Sequence, residues 1–145
     1  MDQEEQKIES LTPADEARLA EQRRVVEKVI EGNPDAQKKY LTSVGKLDVL
    51  RAILEGSVFK PDQTYELQCM GIVLGDVFVR ELGMIWIMVE DSGGRDPAIM
   101  LEGTSIILFP LTMISKRIEN GESVDVFDLF NGLAAKIDEL RAEGC

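Results

Sequence analysis

Apolar residues along this chain recur first at helical spacing, then as an unbroken run, then at helical spacing again, and that order predicts its elements. Leu19, Val26, Val29 and Ile30 mark one face of a helix that opens at Thr12-Pro13-Ala14-Asp15. Thr12 can cap an open amide, Pro13 is tolerated in the first turn, and Asp15 complements the positive end of the helix. A strict capping box wants Glu or Gln where Asp15 stands. Gly32 and Pro34 end this helix. A second helical stretch starts near Asp35, with Tyr40, Leu41 and Val44 on one stripe and Leu47, Leu50, Ile53 and Leu54 after them. Gly45 between the two sets bends or splits it, and Gly56 to Pro61 is a loop. The third helix, from about Asp62 to Leu82, is the most apolar, with Leu67, Met70, Leu74, Val77 and Phe78 on one face. Gly71 and Gly75 share one side of it, where another backbone can approach closely. Each glycine costs a helix about 1 kcal/mol against alanine, so close packing is a reason to hold two.

After Gly83 the period changes. Met84-Ile85-Trp86-Ile87-Met88-Val89 suits a strand covered on both faces, and Trp86 in its middle suits the core. Asp91 to Asp96 reads as a loop, Ala98 to Glu102 as a second strand and Thr104 to Phe109 as a third. Connections this short predict an antiparallel meander. Pro110 opens a helix over Leu111 to Glu119, which stops at Asn120-Gly121. The last helix runs from about Val124 to Ala142, with Val126, Phe127, Phe130, Leu133, Ala134, Ile137 and Leu140 on its apolar face. The expectation is an α+β fold: three N-terminal helices, a three-stranded antiparallel meander, then two C-terminal helices packed on the sheet. Residues 1–10 are polar and read as a flexible N-terminus, and 11–145 as a single domain, which suits 145 residues.

Charge changes the picture. The chain has 27 acidic and 16 basic side chains, a net of −11. Residues 1–60 hold 12 acids and 10 bases, whereas residues 61–145 hold 15 acids and 6 bases, a net of −9. Such a field repels nucleic acid and anionic lipid and attracts basic partners, although solubility alone also accounts for it. No apolar run is long enough to cross a bilayer, the start Met1-Asp2-Gln3-Glu4-Glu5 is not a secretory signal, and a cytoplasmic location is expected. Cys69 reads as a buried thiol and Cys145 as an exposed terminal one.

The chain has no histidine, which removes Ser-His-Asp and Cys-His catalysis, histidine metal sites and the commonest general base near neutral pH. No phosphate-binding or dinucleotide loop is present. Glu90, Asp91 and Asp96 crowd one end of the hairpin beside Arg95, where they can bind a divalent cation or act as an acid/base pair, or simply form a solvated tip with a surface ion pair. Lys116 and Arg117 are the densest basic spot in the acidic half. They read as an anion site, or as cations complementing a helix C-terminus.

One stretch carries a resemblance. Leu67-Gln68, Gly71, Leu74-Gly75-Asp76, Leu82-Gly83, Trp86, Val89-Glu90-Asp91 and Gly94-Arg95-Asp96-Pro97-Ala98 are followed by Phe109-Pro110-Leu111-Thr112-Met113-Ile114-Ser115-Lys116-Arg117 and Gly121-Glu122. Over Thr64 to about Leu129 this resembles the bacterial family called domain of unknown function 3806. Such sequences have an aromatic before the hairpin glycine, where this chain has Ser92-Gly93. The resemblance implies a compact bacterial domain and supplies no reaction, cofactor or substrate. It draws attention to Glu90, Asp91, Arg95, Asp96, Lys116 and Arg117 as binding residues, because core packing does not explain polar residues inside such a motif.

The favoured functional expectation is a non-catalytic binding protein for a basic protein partner, with immunity-type toxin neutralisation as an example. No cofactor, no metal, no nucleic acid and no membrane are expected. The alternatives are a small carboxylate-dependent enzyme or divalent-metal binder, and a structural or homo-oligomeric domain using the Gly71/Gly75 face or the last helix.

Overall fold

A computed structural model of the chain describes residues 6–143. The readings of Met1 to Glu5 and of Cys145 lie outside those residues. The fold is α+β, with a four-stranded antiparallel sheet and six α-helices among the described residues.

Helix α1 (Pro13–Val29) begins in a complete capping box, because the Asp15 side chain accepts the Thr12 amide at 2.9 Å while Thr12 Oγ1 accepts the Asp15 amide at 3.1 Å. Asp at this position closes the box as Glu would. Gly45 marks a split rather than a bend. Helix α2 (Pro34–Lys39) stops, and Thr42 caps α3 (Ser43–Glu55) by accepting the Gly45 amide at 2.9 Å. A Cβ on Gly45 would fall on the Lys39 carbonyl, so the two helices can meet this tightly only around glycine.

Helix α4 (Thr64–Leu82) is the axis of the molecule. Leu67, Cys69, Met70, Ile72, Val73, Leu74, Val77 and Phe78 are all at most 1% exposed, so its middle is buried over most of its circumference. α1, α3 and the later helices surround it, and the sheet closes the remaining side. The two glycines are where neighbours come closest. The carbonyl oxygens of Pro110 and Leu111 stand where a Cβ on Gly71 would be, and a Cβ on Gly75 would lie 2.6 Å from the Trp86 ring. The Gly71/Gly75 face is therefore occupied inside the domain.

Strands β2 (Met84–Asp91) and β3 (Gly94–Leu101) form a hairpin in which Asp91 stands opposite Gly94, so the turn is Ser92-Gly93 alone. Both strands run further into polar sequence than their apolar pattern predicted, because main-chain pairing does not require apolar side chains. β4 (Ile107–Leu108) is only two residues and pairs with Ile99 and Met100. A fourth strand, β1 (Lys7–Glu9), lies antiparallel on β2, with Ile8 opposite Val89. The expected flexible segment thus contains an edge strand, whose pairing is long-range and leaves no local pattern. The sheet order is β1-β2-β3-β4.

Met84, Ile99 and Leu101 belong to the core under the helices, with half-buried Trp86 packed against it. The opposite face carries a smaller cluster of Ile87, Val89 and Ala98, bordered by Met100 and Ile107, and no helix residue joins it. Pro110–Thr112 is a 3₁₀ turn rather than the start of a continuous helix, and α5 (Ser115–Glu119) follows. α6 (Val126–Ala142), capped by Asp125, packs on α3 and α4. The C-terminal helices were expected on the sheet, but α4 already occupies that place.

Gly71→Ala should lower stability by about 1–3 kcal/mol, since backbone rather than a flexible side chain must yield. Gly132→Ala, in α6 with nothing within 4 Å of the added methyl, should raise it by about 0.5–1 kcal/mol. Urea unfolding of the two variants beside the parent chain checks both signs.

Candidate functional site

The polar residues of the motif do not converge at the hairpin tip. Side chains alternate along a strand, so Glu90 faces the helix side of the sheet while Asp91 and Asp96 face the other. Glu90 stands opposite Lys7 on one side and Arg95 on the other. Asp91 braces the turn by accepting the Gly93 amide at 2.8 Å. No group of three or more His, Cys, Asp or Glu side chains suited to hold a metal ion occurs among the described residues. Arg117 turns back on its own segment and donates to the Met113 carbonyl at 2.7 Å.

The other three candidates stand along one open groove, Arg95 and Lys116 on its walls and Asp96 at the strand rim with its side chain on the opposite face of the sheet. Its first stretch, about 330 Å³, runs between α1, α4 and the hairpin, past Asp15, Arg18, Gln22, Tyr65, Gln68, Arg95 and Asp96. Its second stretch, also about 330 Å³, continues past Phe109, Thr112 and Lys116. The two share Gln68, Asp96, Pro97 and Leu111 and so form one continuous surface.

Arg95 is fully engaged. Its guanidinium donates to both Asp15 oxygens, at 2.6 and 2.8 Å, and to Glu9 at 3.2 Å. This bidentate geometry is the strong form of an ion pair, and it ties hairpin, α1 and β1 together. The Arg95 hydrogen bonds, followed by the Thr12 amide, hold the Asp15 carboxyl well below the usual carboxylate range. Arg95 is therefore a structural clamp that forms one wall of the groove.

Asp96, Lys116, Arg18 and Gln68, by contrast, have no hydrogen-bond or ion-pair partner among the described residues. Gln22 is only 6% exposed, and its Oε1 is buried without a hydrogen-bond partner among the described residues. Tyr65 and Phe109 stand half-exposed on the walls.

Gln68 was quoted in the motif but not singled out, and Asp15, Arg18, Gln22 and Tyr65 were missed. Gln22 had a signal, since it lies with Leu19 and Val26 on the buried stripe of α1, where a polar residue is unexpected. Cys69 is fully buried and the lack of solvent pushes its thiol up to about 11, which keeps it protonated and inert.

These features define an α+β domain with an open groove of mixed polarity. The chain belongs to the family described as Domain of unknown function (DUF3806), whose model matches residues 46–130. No curated protein matches it. A crystal structure from Bacteroides thetaiotaomicron VPI-5482 shares the fold, with a TM-score of 0.74 at 15% identity. The similarity covers 89% of this chain and 47% of that one, so this chain spans about half the length of that structure. The groove is built from both sides of the family boundary. Gln68, Asp96, Leu111 and Lys116 come from the matched segment, whereas Asp15, Arg18 and Gln22 come from α1, before it.

The clamp gives a pH dependence whose sign is fixed. Asp15 is ionised more readily folded than unfolded, so its contribution is complete above the unfolded value of about 4 and is lost as pH falls towards the depressed folded value. The stability gap between the parent chain and Asp15→Asn should be level from about pH 7 to 5 and shrink below about pH 4. Urea titrations at pH 7 and pH 3 check this, and an unchanged gap would remove the clamp assignment.

Proposed function

We propose that this domain is a non-catalytic binding protein of the bacterial cytoplasm that recognises a protein partner with a basic surface. Immunity-type proteins that cover a toxin's working surface exemplify the role. One observation carries the reading: Asp96, Gln68 and Lys116 of the family segment stand at the surface without partners among the described residues, in a half of the chain with 15 acids and 6 bases. Unpaired surface charge raises encounter rates with a complementary partner and selects against partners of like charge. The lack of histidine and the separation of Glu90 from Asp91 and Asp96 favour binding over catalysis.

Affinity purification of the tagged protein from its host, at low and moderate salt with mass spectrometry, tests the reading. The expected outcome is one stoichiometric basic partner whose recovery falls as salt rises. Recovery of no specific partner at either salt would refute it.

A further inference from the structure

We infer that the sheet face turned away from α4 receives a helix of the basic partner, whose apolar stripe covers Ile8, Ile85, Met100 and Ile107 and whose Lys or Arg residues meet Asp91 and Asp96. This rests on the partner reading above and specifies the surface and the element that meet.

The face is apolar and uncovered. α4 packs on the inner face of the sheet, whereas among the described residues no helix residue packs against the outer cluster of Ile87, Val89 and Ala98. Strand register places four further apolar side chains around that cluster. Ile8 stands opposite Val89, Ile85 opposite Met100, and Met100 opposite Ile107. Ile8 is 48% and Ile85 37% exposed, and Met100 and Ile107 are half-buried. Single exposed apolar residues are ordinary, but a contiguous apolar patch marks a contact surface.

Charge selects the occupant. Among the described strand residues, the charged side chains on this face are Asp91 and Asp96, both at its hairpin end and both acidic. Asp96 has no partner among the described residues, and Asp91 engages one oxygen with the Gly93 amide. The nearest cations belong to the other face, where Arg95 is held by Asp15 and Glu9 and Lys7 lies beside Glu9. An apolar surface edged by carboxylates alone calls for an apolar stripe edged by cations. A second copy of this chain brings no strand cation on this face to meet Asp91 and Asp96, and adds another net of −11. Nucleic acid and anionic lipid are repelled by the same two carboxylates.

The dimensions suit a helix. β2 and β3 have 8 residues each, a length of about 27 Å. A helix of about 18 residues has that length, and α4 with 19 residues packs on the inner face. An added strand would join the sheet at an edge and leave this face bare. A helix laid on it completes a helix–sheet–helix layering.

The probe is a fluorescein-labelled peptide of about 18 residues of Leu, Ala and Lys, with leucine along one helical face and lysine clustered at one end. Fluorescence anisotropy on the full chain measures its binding beside two analogues, one with every Leu changed to Ser and one with every Lys changed to Glu. The expected result is binding of the first peptide, weakened at least about tenfold in either analogue. Ile85→Ser should weaken it about fivefold or more and Asp96→Lys about threefold or more, whereas Val44→Ser and Asp138→Lys, exposed elsewhere, should leave it unchanged. Amide shift mapping on the parent chain should place the peptide on Ile8 and residues 85–91 and 96–100, independently of any variant's stability. Binding that is absent, ignores both face variants or maps elsewhere would overturn the inference. So would a concentration-dependent dimer dissolved by Ile85→Ser, which would make a second copy the occupant. If the host partner is recovered equally by the parent chain and both face variants, the face assignment falls while the partner reading survives. If the peptide binds this face but the host yields no partner at either salt, the partner reading falls and the surface assignment stands.

Discussion

The close approach of two segments to the backbone of α4 is the constraint on which the rest of this structure depends. At Gly71 the carbonyls of Pro110 and Leu111 take the space of a side chain, and at Gly75 the ring of Trp86 does. Helix, sheet and 3₁₀ turn are thereby locked at a spacing that no larger residue allows. The glycines weaken the isolated helix by about 1 kcal/mol each, a loss offset by dense packing around a helix with almost no exposed apolar surface. Because Pro110–Thr112 is pinned there, Leu111 and Thr112 come to lie beside Gln68 in the groove.

Polar contacts then fix α1 to this frame. Asp76, one residue after Gly75, accepts from Arg23 Nε at 2.7 Å and Nη2 at 2.9 Å, and from Trp86 Nε1 at 3.0 Å. One carboxylate therefore orients the tryptophan that fills the Gly75 notch and holds the helix that forms the far wall of the groove. Removing one partner from such a set leaves the others without hydrogen bonds, which costs more than the net gain from any single bond. Nearby, Lys46 lies 3.7 Å from the centre of the Tyr40 ring and donates to the Tyr40 carbonyl, tying the split between α2 and α3 to the same side. The Arg95–Asp15 clamp holds the other end of α1. The helix is thus gripped at Asp15 and Arg23, and Arg18 and Gln22 between those points border the groove.

Much of this was legible in the residues, and the rest was not for identifiable reasons. The α4 stripe, the Gly71/Gly75 close approach, the central strand and the last helix follow from periodicity, since the core imposes its spacing on each. The Lys7–Glu9 strand was not, because three residues with one apolar side chain carry no pattern and their partner lies far along the chain. Glu90, Asp91 and Asp96 are near one another in sequence, yet the pleat puts Glu90 on one face and Asp91 and Asp96 on the other. Strict alternation along the strand would have shown this once the hairpin register was known. The groove itself depends on α1 meeting the 3₁₀ turn across α4. Only the oddity of Gln22 on an otherwise apolar stripe pointed to it.

The pairing of β1 bears on how the molecule is made. Lys7 finds Glu90 and Ile8 finds Val89, so this strand must wait, unpaired, until the hairpin has been synthesised. Closing so long a loop is entropically more costly than forming the local helices and the hairpin. The polar character of this strand suits that delay. Lys7 and Glu9 keep a waiting segment soluble, and once docked they place Glu9 against Arg95, so that completion of the sheet edge and completion of the groove wall are the same event.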